Sequence, residues 1–224
     1  MRLVIVACVI TLAACSPTPP APTTAPPSPA TTSTASTPDL VKAMDGKVKS
    51  ALMPVEAFSI PAEYVTDEPK WDAELANTDG RISPVCLGAR VDVGVSTSRR
   101  RLWNSPDSYF EEQVFGLVGV TAKHVLDTLR DKARSCRTYV GEIDESPREV
   151  RADVEIRQWE GIDDSYALCQ RFPDEGEEAW SCEGFLARGD LIAKVVVYSR
   201  GVERATSHLS DLARLAVPYL VKVG

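Results

Sequence analysis

The stretch TAKHVLDTLRDKARSC, Thr121 to Cys136, decides how the chain is read. Ala122, Val125, Leu126, Leu129, Ala133 and Cys136 recur at helical spacing and form one continuous apolar stripe. The stripe carries Cys136 to the buried side, where Cys86 can meet it. His124 falls opposite, beside Asp127, Thr128 and Asp131, on a face suited to solvent.

Strand signals lie on both sides of this helix. Residues 95–103 and 109–118 read as two strands, with Asn104, Pro106 and Asp107 supplying turn chemistry between them. Folding about Pro106 would set Arg101 near Glu111 and Arg100 near Glu112. Cross-strand ion pairs then account for the run Arg99 to Arg101 better than a phosphate or lipid headgroup does. Past the helix, residues 150–159 alternate Ala152, Val154 and Ile156 against Asp153, Glu155 and Arg157. Residues 164–172, 178–188 and 190–199 follow as strands. The last is apolar on both faces, the pattern of a central, covered strand, and Arg188-Gly189-Asp190 fits the tight turn before it.

Helices close the two ends. Asp39 can cap one running to about Leu52, with Leu40, Val41, Met44, Val48 and Leu52 on one face. Residues 202–223 form the other, with Val202, Ala205, Leu209, Leu212, Ala213 and Ala216 on its apolar face and His208 at its edge. Pro218 is expected to kink it or end its regular part. Residues 54–84 read as irregular, with one short turn near 71–76. Cys86 is placed at the end of a loop or the start of a short helical turn. The fold class is α+β: an antiparallel sheet of about five to six strands flanked by helices and stapled by two disulfides.

The N-terminus has a different chemistry. Leu12-Ala13-Ala14-Cys15 resembles a bacterial lipobox, preceded by Arg2 and an apolar run from Leu3 to Thr11. The run is too short to span a bilayer, which takes about 20 residues. It has the layout of an export signal. The resemblance implies cleavage between Ala14 and Cys15, a diacylglyceryl group on the thiol and an acyl chain on the new amine. Residues 1–14 are then signal. Residues 15–38, almost wholly Ser, Thr, Pro and Ala, form a disordered stalk with polyproline bias. Residues 39–224 suit one domain with a real core.

The chain has six cysteines and a formal net charge of −7. The acidic balance argues against a nucleic-acid partner and a polybasic membrane contact. Cys8 leaves with the signal and Cys15 carries lipid, so Cys86, Cys136, Cys169 and Cys182 remain. Four cysteines in an exported domain suggest two disulfides with three possible connectivities. Sequential pairing is favoured, because Cys169 and Cys182 would close a short loop between neighbouring strands. No Cys-x-x-Cys pair is present and neither histidine adjoins a cysteine, so no metal is expected.

No nucleophile elbow, zinc helix, phosphate loop or dinucleotide fingerprint occurs, so the chain is read as a non-enzyme without a cofactor. The acidic clusters at 142–145, 163–164 and 174–178 lack calcium-loop spacing and read as solvated turns. Trp103, Trp159 and Trp180 lie in or beside strands, and in an exported domain they are candidates to line a cleft for a lipid or sugar.

Taken together, several features resemble the actinobacterial extracellular sensor-domain family, the PknH-like domains. They are the lipobox and stalk, a first helix, a Cys86 loop before a hairpin, a helix ending Ala133-Arg134-Ser135-Cys136, strands bearing the second cysteine pair, and a closing helix. The resemblance covers roughly residues 39–223. It implies a helix-flanked antiparallel sheet, sequential disulfides Cys86–Cys136 and Cys169–Cys182, and a cleft for an unknown extracellular ligand. The functional expectation is a non-enzymatic lipoprotein on the outer side of the cell membrane. It would meet the bilayer through its acylated end and bind a small-molecule, lipid or sugar ligand. Docking onto an envelope protein or receptor is the first alternative, and hydrolysis of envelope components by a carboxylate pair the second.

Overall fold

A strand that is apolar on both sides needs cover on both sides, and residues 191–199 are such a strand. A computed structural model describes residues 37–57, 73–75, 82–83, 85–86, 95–105, 108–141, 145–174 and 177–224. Cys15, the signal and residues 15–36 of the stalk lie outside them. The helices are α1 (Thr37–Ala51), α2 (Ala122–Ser135) and α3 (Val202–Val223). The strands are β1 (Ala73–Leu75), β2 (Val95–Ser105), β3 (Ser108–Leu117), β4 (Thr138–Val140), β5 (Pro147–Arg151), β6 (Asp164–Asp174), β7 (Glu177–Arg188) and β8 (Leu191–Ser199).

All the strands join one antiparallel sheet in the order β1-β2-β3-β8-β7-β6-β5-β4. The fold class is as expected, and β8 is central, between β3 and β7. On one face Leu191, Ala193, Val195 and Val197 of β8 join Trp180 and Leu186 of β7 beneath α1 and α3. On the other face Ile192, Phe185, Phe115, Tyr166 and Leu168 pack under α2. Helices therefore cover both faces, and each amphipathic stripe has its own layer of core.

Helix α2 follows the reading of its stripe closely. Thr121 precedes it and its hydroxyl accepts the His124 amide, satisfying one free donor of the first turn. Helix α1 starts at Thr37, three residues earlier than a cap at Asp39 would place it, so Asp39 sits in the first turn rather than at the cap. An acid there still favours the positive end of the helix dipole. Met44, Val48 and Leu52 are buried as the pattern requires, whereas Leu40 is exposed. Gly116 of β3 makes room for this packing: a Cβ there would collide with the Met44 side chain and come within 2.9 Å of Val48 Cγ2. The helix is tied to the sheet by Arg99–Asp45 at 3.0 Å and Lys47–Asp190 at 2.9 Å.

Three sequence expectations need correction, and the sheet holds more strands than the five to six expected, eight among the described residues. Two of the additions, β1 and β4, have only three residues each, too few for alternation to register. Within the expected turn near 71–76, residues 73–75 form β1 against β2. The β2–β3 hairpin pairs Ser105 with Ser108, so only two residues separate the strands. The register is shifted by one from a turn centred on Pro106: Arg101 stands opposite Glu112, Arg100 opposite Gln113 and Leu102 opposite Glu111. Residues 152–159 are not strand. Asp153 takes a positive φ of 57°, which breaks the extended run begun by β5. Ala152 packs partly buried on the α2 side, and Val154 and Ile156 on the α1–α3 side, without a ladder. Helix α3 has the expected bounds, Val202–Val223, with Pro218 inside it. Pro218 and Arg214, whose carbonyl loses its helical donor, both lie on the exposed face, where solvent can replace the missing bond.

Candidate ligand-binding site

The cysteines pair sequentially. Cys86 and Cys136 have Cα atoms 6.1 Å apart, and Cys169 faces Cys182 directly across β6 and β7 with Cα atoms 4.0 Å apart. Residues 85–86 form a turn, with Cys86 at a φ of 66°. This bond holds the segment carrying Ile82, Ser83 and Val85, all buried, to the C-terminal end of α2.

The three tryptophans come together as parts of one core layer, beneath α1 and α3. Trp103 and Trp180 are 5% and 6% exposed, and Trp159 packs partly buried against the same cluster. Trp103 Nε1 donates to the Val55 carbonyl at 3.2 Å. The Arg151 guanidinium lies 4.7 Å from the centre of the Trp180 ring.

The less expected chemistry lies on the opposite face, the one α2 covers. One cross-strand row there reads Glu111 on β3, Val196 on β8 and Glu183 on β7. The next reads Gln113, Lys194 and Phe185. Glu111, Gln113, Glu183 and Lys194 are all buried. Under α2 the same face turns apolar with Phe115, Ile192 and Ala187.

Each member of the polar cluster has defined neighbours. Tyr109 donates its hydroxyl to Glu111 Oε2 at 2.7 Å. Burial, with Glu111 alongside, pushes that phenol well above its ordinary range. Lys194 Nζ is 3.9 Å from Glu111 Oε1 and 5.9 Å from the centre of the Phe115 ring. Gln113 donates to Ser98 Oγ at 3.3 Å. Ser83 gives its hydroxyl to the Glu183 carboxylate and accepts the Val85 amide at 3.2 Å. Glu183 Oε2 has no hydrogen-bond partner among the described residues. Burial raises the Glu183 pKa against the smaller opposing pull of Lys194.

Toward the far edge of the sheet the face becomes aromatic. Phe172 lies 5.4 Å from Tyr198, Arg148 sits 3.9 Å over Phe172, and Tyr139 donates to Gln170. A groove of about 550 Å³ opens beside them, lined by Thr138, Arg148, Arg171, Phe172 and Glu178 among others. Arg171 is held between Glu149 and Glu178.

Another buried carboxylate, Glu112, faces α1. Its Oε2 accepts the Met53 amide at 2.8 Å, and Arg101 donates to the Met53 carbonyl. Burial pushes its pKa up to about 8 despite both neighbours.

Sequence reading had Glu111 only as an arginine partner and assigned no role to Lys194 or Glu183. The available signal was positional: an acid between Cys182 and Gly184 and a lysine between Ala193 and Val195, inside strands otherwise apolar on both faces. Of the acidic clusters, the described members are tied into the fold, and residues 142–144, 175 and 176 lie outside the described residues. Asp163 accepts from the Gly189 amide, Asp164 pairs with Arg130, and Glu177 with Arg200. His124 is exposed, and His208 lies 5.5 Å from Phe110. Gly189 has a positive φ of 56° in the turn joining β7 to β8, as the Arg188-Gly189-Asp190 reading required. Among the described residues no helix is long and apolar enough to cross a membrane.

No protein-family model matches the chain, and no curated protein is similar to it in sequence. Among solved structures it is similar to the extracellular domain of PknH from Mycobacterium tuberculosis. The two are 10% identical with a TM-score of 0.44, over 60% of this chain and 68% of that one, a weak likeness of fold.

Proposed function

We propose that this chain is a non-enzymatic ligand-binding lipoprotein, anchored through Cys15 and working on the outer side of the cell membrane. The observation that carries the binding half is the polar cluster of Glu111, Glu183 and Lys194, on two adjacent cross-strand rows of a sheet face that is otherwise core. Burying such groups costs free energy unless each finds a partner. Three of them on neighbouring strands, with aromatic rings and a groove toward the sheet edge, are the few convergent polar groups that a small-molecule site needs. The anchoring half rests on the lipobox-like stretch and on two disulfides, the bond type of an oxidising compartment.

Mass spectrometry of small molecules carried by the natively exported protein tests this reading. A co-purifying ligand lost in an E183Q/K194M double variant is the expected result. An empty protein, with a face that takes up no small molecule from an envelope extract, would count decisively against it.

A further inference from the structure

The ladder between β5 and β6 stops although both strands run on. Its last pair is Glu149 with Arg171, and the same register sets Pro147, the first residue of β5, against Pro173. The alternation of hydrogen bonds decides what that next pair lacks. Val150 donates to the Arg137 carbonyl and Gly141 to the Ser146 carbonyl. The even-numbered residues of β5 therefore turn their backbone groups to β4, and the odd-numbered ones turn theirs to β6. Pro147 and Pro173 stand where two strands exchange N–H···O bonds, and a proline has no N–H. Their carbonyls face a gap into which neither strand donates.

That gap is the groove of about 550 Å³ at this edge of the sheet, and both prolines line it. It opens on the surface: Thr138, Pro147, Glu149, Pro173 and Glu178 are all exposed, so a ligand reaches the carbonyls directly. The lining carries Arg148 and Arg171 against Glu149, Glu177 and Glu178. Arg171 bridges Glu149 and Glu178, Arg200 pairs with Glu177, and the Arg148 guanidinium lies over the Phe172 ring. Arg151, the next side chain on that face of β5, stacks on Trp180. Each lining carboxylate thus has a guanidinium partner, and these walls ask for no charge from a ligand. The side chains of Asp174 and Glu175, at the tip of the β6–β7 hairpin, lie outside the described residues. A peptide strand does not suit the gap, because strand addition alternates donors with acceptors and these two edges offer acceptors alone. A sugar does suit it. Every hydroxyl both donates and accepts, so it serves carbonyls and guanidinium groups alike, and the C–H face of the ring matches an apolar floor.

We propose, on the reading that this protein binds a small molecule, that the β5–β6 groove is a site for an uncharged saccharide, whose hydroxyls donate to the Pro147 and Pro173 carbonyls and whose C–H face lies on the proline and Phe172 rings.

Saturation-transfer NMR on the full exported chain, held in a polyoxyethylene detergent free of sugar, tests this with maltose, cellobiose and lactose. The expected result is binding of at least one of them at millimolar concentration. Its permethylated form keeps the rings and the acceptors but loses every donor, and is expected to bind at least about tenfold more weakly, the scale of one to two hydrogen bonds. A P147A/P173A variant returns both N–H groups and lets the ladder close across the groove, so it is expected to lose the sugar with both disulfides formed. Silence from all three disaccharides overturns the proposal. So does equal binding of the permethylated form, or unchanged binding by P147A/P173A. Preference for glucosamine or glucuronate over glucose overturns the uncharged ligand. A ligand of another class recovered by mass spectrometry, with the disaccharides unbound, sinks the saccharide while leaving the binding reading intact. An empty protein that also ignores every probe removes both.

Discussion

Glu112 shows how a single residue ties stability to pH. Its side chain is fully buried, and its partners are one backbone amide and the nearby Arg101. Burial lifts its pKa from the usual 4.5 to about 8. Between those values the folded chain holds a proton that the unfolded chain has released. Stability therefore falls as pH rises from about 4.5 to about 8, by at most about 1.4 kcal/mol per unit, and this group contributes no further slope above that window. Replacing it with an isosteric amide keeps an acceptor for Met53 and removes the buried charge. E112Q is expected to flatten the slope and to be more stable than the parent at pH 8 by about 1–3 kcal/mol. Urea titrations at several values between pH 5 and pH 8.5 read both effects. A variant whose slope matches the parent would place the titration elsewhere. Sequence reading placed an ion-paired acid here but gave it Arg100 as its partner, where the register sets Arg101 opposite. A one-residue difference in turn length moves every cross-strand neighbour, and Pro106 alone does not say whether one residue or two span the turn.

At the scale of elements, the long amphipathic segments were legible and the short or interrupted ones were not. Helix α2 and strands β3, β6, β7 and β8 follow from periodicity because each has one or two buried faces over many residues. Residues 152–159 alternate as a strand would, yet alternation reports which side chains are buried and not whether the backbone pairs. Val154 donates to the Ala167 carbonyl, but the segment builds no ladder. What no pattern revealed is the contact between α1 and β3, which rests on the absence of a side chain at Gly116. G116A is expected to destabilise by about 1–3 kcal/mol through overpacking against Met44 and Val48. Combining it with M44A should restore part of the loss relative to the sum of the single changes, giving a coupling of about 1 kcal/mol in a double-mutant cycle. Additive effects would mean that α1 shifts freely to admit the methyl group. The β6–β7 staple has an expectation of its own. Cys169 and Cys182 are 13 residues apart, a loop whose closure is worth about 3 kcal/mol in the chain-entropy model. C169A/C182A should lower the urea midpoint by a corresponding amount while the sheet still forms, because β6 and β7 remain paired along their whole length.

For the whole molecule, the sequential order of the disulfides could be anticipated from the sequence, whereas the polar cluster emerges only when three strands distant in sequence are laid side by side. The proposed anchor at Cys15 belongs to this scale as well. Among the described residues no helix is fit to span a bilayer, and the net charge is negative, which disfavours electrostatic adhesion to an acidic lipid surface. Attachment would then depend on the acyl chains at Cys15, and two or three such chains hold where one holds only marginally. C15S keeps the export signal and the domain but removes the thiol that takes the diacylglyceryl group. Its expected fate is release to the soluble extracytoplasmic fraction with both disulfides formed, an unchanged urea midpoint and no incorporation of labelled palmitate. The parent should stay with membranes through a carbonate wash and leave only with detergent. A C15S chain that remains in the washed membranes would show that another part of the molecule, or a protein bound to it, provides the attachment. Crosslinking in those membranes would then identify the envelope partner that the docking alternative requires.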